Sequence, residues 1–415
     1  MTKTEQLIYK TYKASFSLQK ANDATLKKIL LTLADEIEKN SALLIKANKK
    51  DLARQDKDNP KNDRLLLNEK RIQNIADSIR QVSKLTNPSG KILEKKTLYN
   101  GLQLQKIAVP LGVVGAIYES RPNVTFDIAA LCLRSKNACV LKGSRDAEDS
   151  NKAAVQIIKK VVKQNNLPAD CVALMPSDRE SVKDLFVAEK YIDVIIPRGS
   201  NELIQYVRRN SLVPVIETGA GVCHTYVEKE ADINKAVSIV VNAKTTRPSV
   251  CNSLDSLLVD KSIAANFLQK LLPEFEKFAV EIFADATSYK LLRNYPFKQK
   301  ASPDDFAREF LSLKCALKIV SGYDEAIEHI RKYSTRHSEA IVSKNKKLCE
   351  RFLNEVDAAT VYSNASTRFT DGGEFGLGAE IGISTQKLHA RGPFALEKLV
   401  TEKWVIRGNG QVRNS

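Results

Sequence analysis

From residue 112 the chain reads GVVGAIYE (112–119), ACVLKG (138–143), CVALMP (171–176), YIDVIIP (191–197) and VPVIETG (213–219). Each is a short apolar run bounded by Gly, Pro or charged residues, the length of a buried strand rather than of a helix. Between them lie NKAAVQIIKKVVKQNN (151–166) and NELIQYVRRN (201–210), with apolar residues at helical spacing. Strand, helix and strand in this rhythm form right-handed βαβ units, hence a parallel sheet covered by helices on both faces. A second series follows: DSLLV (255–259), ALKIV (316–320), EAIVS (339–343) and ATVYSNA (359–365). The expected fold is therefore α/β, with two parallel-sheet lobes and a boundary near 225–245.

Toward the N-terminus the pattern differs. Leu26, Ile29, Leu30, Leu33 and Ile37 recur at three- and four-residue steps with charged residues between them, and the first 85 or so residues read as amphipathic helices. NPSG (87–90) ends that region. LYNGLQLQKIAV (98–109) carries an Asn-Gly turn and then alternating residues, which predicts a hairpin and an edge suited to oligomerisation.

The chain has 415 residues, 43% hydrophobic and 27% charged, and a formal charge of +16. These values exclude collagen-like and disordered classes and allow two or three domains. The basic excess raises polyanions and phosphorylated small molecules as partners. Residues 1–100 hold 21 Lys and Arg against 12 Asp and Glu, so more than half of the excess lies on the helical front. No aromatic interleaving of the kind that stacks bases occurs there. Nucleic acid and membrane are therefore not expected partners. Seven scattered cysteines without a CxxC predict neither a metal site nor a dithiol pair and suit a reduced, cytoplasmic protein. The N-terminus has no apolar core of a secretory signal.

GxxxxGK[ST], GxGxxG after a strand, HExxH and GxSxG are all absent. Two strand ends are nevertheless polar: Lys142, Gly143, Ser144 and Arg145 in one, Gly199 and Ser200 before a helix in the other. Backbone N–H groups there suit phosphate, and a plain Ser- or Asp-capped loop explains them as well. Cys251 follows the polar run Lys244–Arg247, whose cations favour a thiolate, and is a candidate nucleophile. Cys132, Cys139, Cys171, Cys315 and Cys349 sit in apolar segments and read as structural thiols. Cys223 has His224 beside it, but neighbours on a strand point to opposite faces, which argues against a dyad. His329 and His337 read as structural. Arg121 and Asn123, in ESRPNVT (119–125), suit an anion and an oxyanion, and equally a capped loop. The long, small-residue segment 363–393, with Arg368, His389 and Arg391, reads as a functional loop.

Four segments together carry a family resemblance: VPLGVVGAIYESRPNVTFD (109–127), NAKTTRPSVCNSLDSLLV (242–259), HSEAIVS (337–343) and VYSNASTRFTDGGEFGLGAEIGISTQKLHARGP (361–393). Over nearly its whole length the chain resembles the gamma-glutamyl phosphate reductases (glutamate-5-semialdehyde dehydrogenases) of the aldehyde dehydrogenase superfamily. The resemblance implies an aldehyde dehydrogenase-like fold with two Rossmann-like lobes and a small oligomerisation hairpin. It puts the cofactor-binding domain at 1–96 and 113–225 with a return segment near 376–400, the catalytic domain at 226–375, and the hairpin and tail at 97–112 and 401–415. It implies a homo-oligomer, dimer or higher, acting on a small molecule: reduction of L-glutamyl 5-phosphate by NADPH to L-glutamate 5-semialdehyde, with release of phosphate, in proline biosynthesis.

Carried over residue by residue, the resemblance makes Cys251 the nucleophile that forms a thioacyl intermediate and Asn123 the oxyanion donor. Lys142, Gly143, Ser144 and Arg145 would meet the adenosine ribose and its 2′-phosphate, Gly199 and Ser200 the pyrophosphate, and Glu309 the nicotinamide ribose. Arg121, His224, Arg247 and Arg391 are unranked candidates for the substrate's anionic groups. Glu217, in VIETGAG, stands where hydrolytic aldehyde dehydrogenases carry a general base. It supports the alternative of an oxidising, hydrolytic aldehyde dehydrogenase.

Overall fold

The computed structural model describes residues 1–56 and 62–413; residues 57–61 of the helical front and 414–415 of the tail lie outside the described residues. The chain divides into two compact units: 1–218 with 376–382 and 393–415, and 219–375 with 383–392.

The first unit opens with the helices Lys3–Gln19, Asp23–Lys39, Ser41–Ala53 and Glu69–Lys84. Asn22 and Asn68 cap two of them by accepting from the N–H of Thr25 and of Arg71, at 2.8 and 2.9 Å. The stripe read from sequence is the buried one: Leu26, Ile29, Leu30, Leu33 and Ile37 are fully covered. Each such burial is worth about 1.5–3 kcal/mol relative to exposure, which sets the helix's rotation. Buried Asp51 accepts from the Ser150 N–H and hydroxyl (2.8 and 2.6 Å) and from the Asp149 N–H (3.0 Å). A carboxylate thus binds the opening turn of the helix Glu148–Gln164.

Four parallel strands form this unit's main sheet, in the order Val172–Leu174, Ala138–Gly143, Val113–Tyr118, Val194–Arg198. The chain runs outward from Val113–Tyr118 for two strands, then returns to its other side. The order therefore reverses between Val113–Tyr118 and Val194–Arg198, and ligands of open α/β sheets bind beyond the carboxyl ends at such a point. VPVIETG does not add the expected fifth strand. It makes one isolated bridge, Ile195 to Val215. Pro214 has no N–H to donate to a ladder, and that ends the pairing.

The same unit carries an antiparallel sheet with Gln103–Pro110 between Ile92–Thr97 and Val400–Arg407. Gly101, at φ +84°, closes the Asn-Gly turn. The first strand of the hairpin starts at Ile92, earlier than the alternation after the turn indicates, because ILEKKT exposes both of its faces and carries no period-two signal.

The second unit is built on seven parallel strands in the order Lys298–Lys300, Glu281–Ala284, Lys314–Val320, Leu254–Asp260, Cys223–Val227, Ser338–Val342, Thr360–Ser363. The two outer strands Glu281–Ala284 and Lys298–Lys300 were not among the apolar runs. Both are short, and the second carries only Lys and Gln. No described helix is long and apolar enough to cross a membrane.

Candidate active site

Cys251 sits in the turn between the helix Ile233–Thr245 and the central strand Leu254–Asp260. All seven cysteines are described, and Cys251 alone is not buried. Burial pushes the thiols of Cys171 and Cys315 up to about 12, and those of Cys139, Cys223 and Cys349 also upward. For Cys139 its hydrogen-bonded neighbour Cys132 adds the largest push. These thiols stay protonated and unreactive at neutral pH.

The Cys251 peptide is held from several sides. The Cys223 thiol donates to the Cys251 carbonyl at 3.1 Å. A Cβ at position 221 would lie 1.7 Å from that same oxygen, so only glycine fits. The Gly221 N–H donates to Glu309 Oε1 at 3.0 Å. On the other flank, Asn252 donates to the Thr370 carbonyl (2.9 Å) and its own carbonyl accepts from Thr367 Oγ1 (2.8 Å). The Arg368 guanidinium donates to Asn252 Oδ1. Burial first, then the neighbouring Arg247 cation, holds the Arg368 guanidinium below its ordinary value, against Asp371, Cys251 and Glu374. Arg247 itself is exposed.

Beneath this turn the second unit buries an unusual set of polar groups. His224 Nδ1 and its backbone N–H meet Glu339 Oε2, both at 3.0 Å. The His224 side chain is fully covered, so it belongs to the core and not to a substrate-facing surface. Lys244, also fully buried, donates to the Lys314 carbonyl at 2.7 Å and lies 3.6 Å from Asp255. Burial raises Asp255 to about 7 despite that lysine. His329 packs against Phe306 and Tyr333, and burial lowers it to about 3, which keeps it neutral. Cys223 and His224 do face different partners: the former reaches His337 Nδ1 at 3.7 Å. Arg391 is engaged by Asp357 at 2.6 Å, and Lys387 shares that carboxylate at 2.9 Å.

In the first unit, the strand ends at the order reversal hold the remaining candidates. Ser200 caps the helix Asn201–Asn210. The Glu119 carboxylate accepts from the Ser200 N–H (2.9 Å) and hydroxyl (3.0 Å). A Cβ at Gly199 would press on that carboxyl at 2.7 Å. This helix start thus already receives an anion, which fits the chemistry of a pyrophosphate site. Lys142 is buried, its amine 3.4 Å from the Gly143 carbonyl, and burial lowers its pKa. A Cβ at Gly143 would meet the Asn151 amide at 2.2 Å. Ser144 Oγ accepts from the Ser120 N–H at 3.1 Å, and Arg145 is exposed. Asn123, in the first turn of the helix Pro122–Arg134, donates to Asp127 at 3.1 Å. Asp127 is raised to about 6, chiefly by burial. Arg121 precedes that helix as its cap residue. Glu217 is committed to an ion pair with Arg208 at 2.9 Å.

Sequence reading missed Glu119, Asp127, Gly221, Asn252 and the part played by Arg368. Asp127, four residues after Asn123 on a helix, was within reach of a spacing argument. The others depend on contacts across 30 (Gly221 to Cys251) to 118 (Asn252 to Thr370) residues of chain and leave no local pattern.

The aldehyde dehydrogenase family model matches residues 2–288. A gamma-glutamyl phosphate reductase of Chlorobaculum parvum is 51% identical over 403 residues, 96% of each chain, and one of Chlorobium limicola is 51% identical over 99% of this chain and all of its own. The crystal structure of gamma-glutamyl phosphate reductase from Thermotoga maritima superposes with a TM-score of 0.94 at 40% identity, covering 99% of this chain and 100% of that one. An acetylating aldehyde dehydrogenase of Geobacillus thermoglucosidasius, 17% identical with a TM-score of 0.73, shares the fold over 99% of this chain and 98% of its own. The chain belongs to the aldehyde dehydrogenase family, and within it to the gamma-glutamyl phosphate reductases.

Proposed function

We propose that the protein reduces L-glutamyl 5-phosphate to L-glutamate 5-semialdehyde with NADPH, releasing phosphate, with Cys251 as nucleophile. The observation that carries the cysteine assignment is the one accessible thiol among seven, on a turn held by Gly221, Cys223 and Asn252. The Cys251 thiolate adds to the acyl carbon, the bond to the phosphate oxygen breaks, and a thioester remains on Cys251. NADPH, when bound, supplies the hydride that reduces this thioester. Collapse of the resulting thiohemiacetal frees the aldehyde and returns the thiolate. Asn123, whose amide has a second N–H besides the one given to Asp127, stabilises the oxyanion.

Lys142, Gly143, Ser144 and Arg145 would hold the adenosine end of the dinucleotide, with the exposed Arg145 cation on the 2′-phosphate. Gly199 and Ser200 would meet the pyrophosphate and Glu309 the nicotinamide ribose. A phosphate-releasing reductase needs no base to hydrolyse a thioester, which agrees with the Arg208 ion pair on Glu217. The hydrolytic alternative predicts aldehyde oxidation without phosphate. The decisive assay runs the reverse reaction with semialdehyde, phosphate and NADP. Cys251→Ala is expected to lower turnover by about 10⁴-fold or more with the fold retained. Near-wild-type turnover in that variant would refute the assignment.

A further inference from the structure

Arg368 is placed for more than structure. It sits in the short turn Thr367–Phe369, and its guanidinium is anchored on Asn252, the residue after the nucleophile. Its Nε is buried and has no hydrogen-bond partner among the described residues. A buried cationic donor without an acceptor is costly, and it is commonly completed by a ligand. Arg247 stands four residues before Cys251, on the segment that joins the helix Ile233–Thr245 to the strand Leu254–Asp260, and its cation also holds the Arg368 guanidinium below its ordinary value. Like charges in such proximity favour an anion between them, and planar guanidinium forks match phosphate geometry.

Resting on the acyl-phosphate reading above, we propose that Arg368 and Arg247 bind the phosphoryl group that Cys251 displaces. Phosphate leaves from the very carbon the Cys251 sulfur attacks, so its oxygens stay beside the nucleophile's turn. The substrate's α-carboxylate lies at the far end of the carbon chain. Of the other two substrate candidates of this unit, His224 is sealed in the core and Arg391 is held in an ion pair with Asp357; each also keeps a buried nitrogen without a partner among the described residues, but neither is hydrogen-bonded to the residue after Cys251, as Arg368 is. In the reverse direction the same pair receives inorganic phosphate. A phosphate oxygen then attacks the thioester carbon, the carbon–sulfur bond breaks, and the thiolate departs.

The test measures semialdehyde oxidation by the full-length protein with inorganic phosphate varied at saturating NADP and semialdehyde. Arg368→Gln is expected to raise the phosphate KM by about tenfold or more, the loss of one charge-assisted hydrogen bond. Arg368→Lys is expected to recover part of that loss. Arg247→Gln, at an exposed position, is expected to raise it by about threefold or more. The semialdehyde KM should stay within about twofold in each variant. An unchanged phosphate KM in both Gln variants overturns the proposal. So does a rise confined to the semialdehyde KM, which would assign the pair to the carboxylate. Should Arg368→Gln fail to fold, Arg247→Gln decides alone. If the wild-type reaction runs without phosphate, the acyl-phosphate reading fails with it; if the wild type needs phosphate and the variants bind it normally, only this assignment fails.

Discussion

The two parallel sheets differ in what their central strands bury. In the first unit, the strands Val113–Tyr118 and Ala138–Gly143 are lined by Val113, Val114, Ala116, Ile117, Val140 and Leu141, with Lys142 the one charged side chain, at a carboxyl end. In the second unit, His224, Thr225, Asp255, Ser256, Ser338 and Glu339 are all buried within the strands. The difference agrees with the roles proposed for the two units. Under the proposed function a dinucleotide is read by loops and a helix start beyond the strand ends, so the sheet beneath can be a plain close-packed platform. A nucleophile on a tight turn must be held to a fraction of an ångström, and directional hydrogen bonds do that where apolar contacts cannot. The second unit therefore accepts the desolvation of Lys244, Asp255, His224 and Glu339 and offsets it by pairing each.

This contrast can be broken by experiment. Lys244→Ala removes one partner of a buried charged group and should cost about 3–5 kcal/mol in urea unfolding. A cost below about 1 kcal/mol would mean the polar layer carries little of the second unit's stability. Gly221→Ala forces the Cys251 carbonyl to move, and kcat should fall about 100-fold while circular dichroism is unchanged. Unaltered kcat would show that the clamp on the turn does not position the sulfur. In the first unit, Arg145→Glu, at an exposed position, is expected to act only through a ligand. The NADPH KM should rise about tenfold, with a shift toward NADH, and no loss of thermal stability. The smallest effect is expected at Ile195→Val in the aliphatic platform, about 0.5–1.5 kcal/mol by the same urea titration. If Ile195→Val cost as much as Lys244→Ala, the two sheets would not differ in the way described.

Much of the first unit was legible from sequence because its signals are local. The stripe from Leu26 to Ile37 and the runs ACVLKG and GVVGAIYE need only the periods of a helix and a strand. VPVIETG misled for a local reason too: a run with apolar alternation looked like a strand, and one proline denied it a ladder. The second unit was less legible. There KQK became a strand through pairing rather than composition, as ILEKKT did in the first unit's hairpin.

Composition and periodicity determined the α/β class, the helical front with most of the basic excess, and the separation of Cys251 in its polar setting from five thiols in apolar segments. These depend on neighbours in the chain, where burial and spacing act directly. Tertiary structure decided the rest: that His224 is core, that Glu119 fills a helix start, and that Gly221, Cys223 and Arg368 converge on one turn. Such contacts join residues far apart in the chain, and only the closing of the sheets brings them together.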